Sequence, residues 1–188
     1  LHKMPSETDW ELIVVNKWNT IPDGYQTELT TLSNGKQVDS RIYPALQDLF
    51  DAMRADGIYP IVREGYRPTT DQQSILDDKI KAYEQEGLSS LLAKKMASEW
   101  VAAPGTSEHQ LGIAVDINAD KTKSTNDEVY TWLAEHAWEY GFILRYPKDK
   151  ENVTGTGYEP WHYRYVGKEA AKEIWQEGCC LEEYVTQN

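Results

Sequence analysis

The sequence predicts an α+β fold, a small antiparallel sheet with flanking helices. Three observations predict it: apolar residues recur at helical spacing early in the chain, short alternating or β-branched runs come later, and the two are not interleaved as regular βαβ repeats require. At 188 residues the chain is long enough for one domain, residues 1 to 188, that buries roughly 70% of the surface its unfolded form exposes. Seven Trp and twelve Tyr, with 40% hydrophobic residues overall, argue for a folded core rather than disorder, and for an aromatic-rich groove or surface.

Taken in order, residues 10 to 17 (WELIVVNK) read as a short strand, because apolar and β-branched residues follow one another without a helical period. Residues 28 to 38 carry the turn signal Ser33-Asn34-Gly35-Lys36 between two weakly β-prone pieces, an irregular hairpin. From Ile42 to Met53, Leu46, Leu49, Phe50 and Met53 mark a helix face, and Gly57 stops that helix. Tyr59 to Glu64 reads as a strand emptying into Gly65-Tyr66-Arg67-Pro68, with Thr69 or Thr70 as cap of the next helix. Residues 71 to 98 make two amphipathic helices broken near Gly87 and expected to cover a sheet face.

Ala102 to Thr106 is a turn, and after Gly112 the alternation of Ile113, Val115 and Ile117 with Ala114 and Asp116 is that of a strand, Asp116 facing away from its apolar neighbours. A helix from about Asn126 to Tyr140, closed by Gly141, precedes a short strand from Phe142 to Tyr146. The loop Lys148 to Tyr158 leads to the strand Trp161 to Val166, in which His162 and Arg164 share a face, and residues 168 to 178 form a last helix.

Composition excludes some partners. A formal charge of −12 with no Lys/Arg cluster makes nucleic acid a poor one. No apolar run of about 18 residues is present for a membrane span, and Leu1 opens no recognisable signal peptide. A chain opening on Leu1 rather than Met is consistent with a trimmed product whose membrane tether lies outside it. Cys179 and Cys180 are adjacent, poor geometry for a mutual disulfide, and read as packing residues.

Two polar, turn-flanked segments carry the chemistry. Ser107-Glu108-His109-Gln110-Leu111-Gly112-Ile113-Ala114-Val115-Asp116 is answered, 43 residues after Asp116, by Glu159-Pro160-Trp161-His162. Of the four histidines, His2 is near the terminus and His136 lies in a helical pattern, which leaves His109 and His162. Two imidazoles and the carboxylate of Asp116 can hold Zn2+ with a position left open for water, whereas magnesium prefers more oxygens and calcium does not choose two imidazoles. A structural zinc site would recruit cysteines, and the only two lie far down the chain.

Glu159, three residues before His162, is then a candidate base for water and a proton donor to a leaving amine. Arg67 could stabilise an oxyanion, or simply pair with Glu64 or Asp71. Ser107 and Gln72 could bind a substrate carboxylate or amide, and Ser107 could equally serve local turn chemistry.

Four segments in order, GYRPTTDQ at 65 to 72, PGTSEHQLGIAVDI at 104 to 117, GFILRYPKDK at 141 to 150 and YEPWHYRYVG at 158 to 167, resemble the VanY-type D-alanyl-D-alanine carboxypeptidases. That zinc peptidase family has relatives in VanX-type dipeptidases, bifunctional VanXY enzymes and L,D-carboxypeptidases, and the resemblance runs from about Trp10 to Tyr184. It implies the small α+β fold that such D,D-peptidases share with the Hedgehog signalling domain. It implies zinc on His109, Asp116 and His162, Glu159 as base, Arg67 polarising the scissile carbonyl, and Gln72 and Ser107 holding the terminal D-residue. The implied substrate is a peptidoglycan precursor stem peptide ending in D-Ala-D-Ala, and the implied role is glycopeptide (vancomycin) resistance or wall remodelling.

Alternatives from the same reading are a bifunctional D,D-dipeptidase/D,D-carboxypeptidase, an L,D-carboxypeptidase, and a non-enzymatic zinc-bearing peptidoglycan-binding module. Glu159 speaks against the last, since binding alone needs no base there. The resemblance implies an extracellular, membrane-anchored setting, with a cytoplasmic one as the VanXY-type alternative.

Overall fold

The computed structural model describes residues 9 to 187; Leu1 and His2 lie outside them. An antiparallel hairpin comes first, β1 (Leu29–Thr31) and β2 (Gln37–Asp39), turning where Ser33 to Lys36 predict. Helix α1 (Tyr43–Ala55) follows, with Pro44 in its first turn, where a missing N–H costs nothing. Its buried residues are Leu46, Leu49, Phe50 and Met53, the stripe read from the sequence, and Gly57 ends it at φ 77°.

The central sheet has β3 (Pro60–Glu64), β4 (Ala114–Ala119), β5 (Phe142–Leu144) and β6 (His162–Tyr165) in the order β3-β4-β6-β5, antiparallel throughout. One apolar cluster gathers Leu49, Met53, Ile113, Ile117, Leu133 and Phe142, and a smaller one lies under the C-terminal helices. Helix α4 (Asn126–His136) packs on β4 and opens with a capping box in which Thr125 and Glu128 satisfy each other's backbone N–H. A 3₁₀ turn carries it to Tyr140, where Gly141 at φ 90° stops it. Helix α6 (Lys168–Glu177) covers β5, and α1 covers β3. No helix among the described residues is long and apolar enough to cross a membrane.

Five expectations need correction. Residues 10 to 17 are not a strand: Trp10–Leu12 form a 3₁₀ turn and only an isolated bridge joins Asn16 to Asn19. Val15 is buried and Trp10, Leu12, Ile13 and Val14 pack half-buried against the two apolar clusters, while two of the segment's carbonyls, on Glu11 and Val15, accept from the guanidinium groups of Arg164 and Arg145 instead of from a neighbouring strand. Helices α2 (Thr69–Gln85) and α3 (Ser90–Trp100) pack chiefly on each other rather than over the sheet. Gln72 is the one buried residue of α2 and Ala93 and Ala97 those of α3, too little apolar surface to cover a sheet face. Neither Thr69 nor Thr70 caps α2, which starts directly after Pro68. The loop from Lys148 contains a short helix, α5 (Glu151–Thr154), and the chain ends in a further helix, α7 (Leu181–Gln187), that periodicity did not reveal. Cys180 is buried and Cys179 half-buried, both as free thiols.

Candidate active site

The strand register builds the site. Asp116 on β4 and His162 on β6 are directly opposed, so their side chains rise on the same face as a cross-strand pair. His109 arrives from a 3₁₀ turn, Glu108–Leu111, that Ser107 opens and Gly112 closes. Gly112 sits at φ 80°, and a Cβ there would come within 3.2 Å of the Asp39 nitrogen, so glycine lets the chain turn sharply from His109 into β4.

The ligand-capable atoms of His109, Asp116 and His162 lie within 4.8 Å of one another. Asp116 Oδ1 is 3.2 Å from His109 Nε2 and 2.9 Å from His162 Nδ1. The opposite nitrogen of each ring is committed: His109 Nδ1 pairs with the Gly65 carbonyl at 2.9 Å, and His162 Nε2 with Glu108 Oε1 at 2.8 Å. Acceptors on the far nitrogens hold protons there, so that the neutral form of each ring turns a lone pair inward, as metal-binding imidazoles require. This donor set, one carboxylate and two oriented imidazoles, fits a divalent metal with an open position. From the protein's own groups alone, burial opposes charge on His162, but the hydrogen bonds and charges of Asp116 and Glu108 outweigh it and hold the ring's pKa up, at about 10. A metal ion would have to displace that proton.

Glu159 is set by the tight turn in which the His162 N–H donates to its carbonyl at 3.2 Å. Its Oε1 stands 3.8 Å from His162 Nδ1, at the edge of the ligand cluster and too far for a hydrogen bond. Burial raises its pKa, His162 draws it back and Asp116 adds to the rise, which suits a group that must take a proton and give it up again.

Arg67 lines the same cleft, a cavity of about 380 Å³ whose wall also includes Gln72, Ser107, Trp100 and Trp161. Its backbone N–H donates to the His109 carbonyl at 3.1 Å, and its side chain donates to Gln72 Oε1 at 2.9 Å. The expected pairing with Glu64 is loose, at 3.6 Å. Its Nε is buried with no hydrogen-bond partner among the described residues, a donor left over in the wall of a cleft. Gln72 also donates to the Ala102 carbonyl at 2.6 Å, so its amide ties Arg67 to the turn before the His109 segment. Ser107 accepts weakly from the His109 N–H at 3.4 Å, the local turn chemistry its position suggested.

Sequence reasoning missed Glu108. It is fully buried, yet Arg145 and Arg164 outweigh the burial that opposes its ionisation and, with His162, hold its carboxyl below the usual carboxylate range. Its Oε2 accepts from Arg145 Nε at 2.8 Å and Arg164 Nη1 at 3.0 Å, while Oε1 fixes His162. The available signal was the two arginines, Arg164 inside β6 and Arg145 directly after β5, both among apolar and aromatic residues, where a buried guanidinium must find a carboxylate.

A VanY family model, described as D-alanyl-D-alanine carboxypeptidase, matches residues 35–168. The chain is 59% identical over 179 residues to a D-alanyl-D-alanine carboxypeptidase of Enterococcus faecalis, covering 95% of this chain and 67% of that relative. A zinc complex of a mutant vancomycin resistance D,D-pentapeptidase VanY from a VanB-type resistance cassette matches with a TM-score of 0.91 at 60% identity, over 94% of this chain and 99% of that one. VanYB in complex with D-alanine-D-alanine matches at 0.92 and 59% identity, over 95% and 99%.

Proposed function

The chain belongs to the VanY family of D-alanyl-D-alanine carboxypeptidases, and from that premise we propose that residues 1 to 188 form one catalytic domain, a zinc-dependent D,D-carboxypeptidase acting on peptidoglycan stem peptides that end in D-Ala-D-Ala. The observation that carries this reading is the convergence of His109, Asp116 and His162 on one point beside Glu159. His109 Nε2, Asp116 Oδ1 and His162 Nδ1 would hold a zinc ion, which when bound would supply Lewis acidity for water and for the scissile carbonyl.

Glu159 takes a proton from the attacking water as the new C–O bond forms. The carbonyl becomes an oxyanion, and the guanidinium of Arg67 stabilises it from the cleft wall. As the C–N bond breaks, Glu159 returns the proton to the departing amine, so that one water is consumed and D-Ala leaves. Gln72 holds Arg67 in place, and with Ser107 borders the space for the terminal D-residue. This activity removes the D-Ala-D-Ala end that glycopeptide antibiotics bind, hence a role in resistance or wall remodelling. The same reading sets the enzyme on the extracellular face of the bacterial membrane, held by a tether; fractionation of the native host tests that placement.

The deciding experiment compares D-Ala release from pentapeptide, tetrapeptide and free D-Ala-D-Ala, with zinc content measured alongside. Cleavage of the pentapeptide with about one zinc per chain is the expected result, lost with chelator and regained with zinc. Preference for the tetrapeptide would make this an L,D-enzyme, and equal use of dipeptide and pentapeptide a bifunctional one. In the same assay Arg67→Ala is expected to lower kcat by about 10² to 10³, the cost of an oxyanion donor. A raised KM with kcat intact would confine Arg67 to binding.

A further inference from the structure

We propose that Glu182, on the C-terminal helix α7, is a positioning residue for the metal site, orienting His162 through Arg145 and Glu108; the proposal rests on reading His109, Asp116 and His162 as zinc ligands. The contacts are continuous. Glu182 Oε1 and Oε2 accept from Arg145 Nη1 and Nη2 at 2.7 and 2.8 Å, a bidentate pair that leaves Arg145 Nε to donate to Glu108 Oε2. Glu108 then presents its other oxygen to His162 Nε2 at 2.8 Å.

Charge balance gives this path its consequence. Arg145, Arg164 and Glu108 are fully buried, and both guanidinium groups draw on the same Glu108 oxygen. Arg164 has further acceptors in the carbonyls of Glu11 and Tyr165, at 2.8 and 2.9 Å. Arg145 relies on Glu182, since its other hydrogen bond among the described residues, to the Val15 carbonyl, is long at 3.4 Å. With Glu182 the cluster has two guanidinium groups and two carboxylates. Without that charge Arg145 turns wholly on Glu108, and the pull competes with the hydrogen bond from His162 Nε2 that orients the ring with Nδ1 toward Asp116.

The same carboxylate is one hydrogen bond from the cleft wall. Glu182 Oε2 accepts from Asn16 Nδ2 at 3.1 Å, and Asn16 lines the cavity that holds the ligand cluster. Neither Asn16 nor Glu182 falls within residues 35–168, so this support comes from both flanks of the segment the family model matches.

The test is zinc affinity, measured by chelator competition on the full chain, together with the melting temperature of the metal-free protein. Glu182→Gln removes the charge and keeps the shape; it is expected to weaken zinc binding about 10-fold or more. Leu181→Ala, in the same helix and fully buried but outside the ion network, is the control for loss of stability alone. It is expected to lower the melting temperature and leave zinc affinity near the parent value. Parent-like affinity in Glu182→Gln, or an equal loss in Leu181→Ala, overturns the proposal. Glu182→Asp keeps the charge one methylene short of Arg145 and is expected to bind zinc between parent and Glu182→Gln. If Glu182→Gln does not fold, parent-like affinity in Glu182→Asp overturns the proposal in its place. A parent that binds no zinc removes the ligand reading itself, a failure visible before any variant is compared.

Discussion

Replacing Glu159 with glutamine is expected to lower the turnover of D-Ala release by about 10² to 10⁴ while zinc content and melting temperature stay at their parent values. The argument is geometric first. The Glu159 backbone is held by its own bonds, its N–H donating to the Tyr146 carbonyl and its carbonyl accepting from His162, and neither needs the carboxylate. The side chain lies 3.8 Å from a ligand nitrogen, so glutamine occupies the same volume without joining the ligand set. What it cannot do is accept and return a proton. Burial already biases Glu159 toward holding a proton more readily than an exposed glutamate does, which shortens the energetic distance to the proton it must take. Equal rates for variant and parent would remove Glu159 from the mechanism; loss of zinc along with rate would make it a ligand instead.

Replacing Glu108 with alanine is expected to cost about 3 to 5 kcal/mol of folding stability, read from denaturant unfolding of the metal-free protein. A buried ion pair is weak evidence for stability in itself, because desolvation offsets much of the attraction. Removing one partner is another matter. Without Glu108, Arg164 retains only carbonyl acceptors, Arg145 retains Glu182 and Val15, and His162 Nε2 loses its acceptor, all of them groups with almost no access to water. The charged groups cannot neutralise cheaply, since guanidinium does not release its proton in proteins. A variant that unfolds at the parent's denaturant concentration would show that the arginines find replacement partners, and would demote Glu108 to a local contact.

Much of the site was legible because its chemistry is carried by contiguous segments. The His109 to Asp116 and Glu159 to His162 spacings and the turns around them single out His109, Asp116 and His162 as candidate ligands and Glu159 as candidate base without any three-dimensional information. The α1 stripe, the β1–β2 turn and β4 to β6 were legible for the same kind of reason: periodicity of 3.6 or 2 is a local property of the chain. Where reading failed, burial depended on distant groups. Residues 10 to 17 have a strand's composition, but a strand needs a neighbour's edge, and here arginines from β6 and from just after β5 meet two of the carbonyls that a neighbour would have bonded.

The sequence by itself determined which atoms could bind a metal and move a proton, because those roles depend on residue type and on spacings of a few positions. Only the tertiary structure decided how they are held. Glu108 meets Arg145 across 37 residues, Arg164 across 56 and His162 across 54, and Arg145 meets Glu182 across another 37. No local pattern marks such partners, since a buried charge is stable only when opposite charges from remote elements arrive together, and that meeting is a property of the folded sheet and its C-terminal helix.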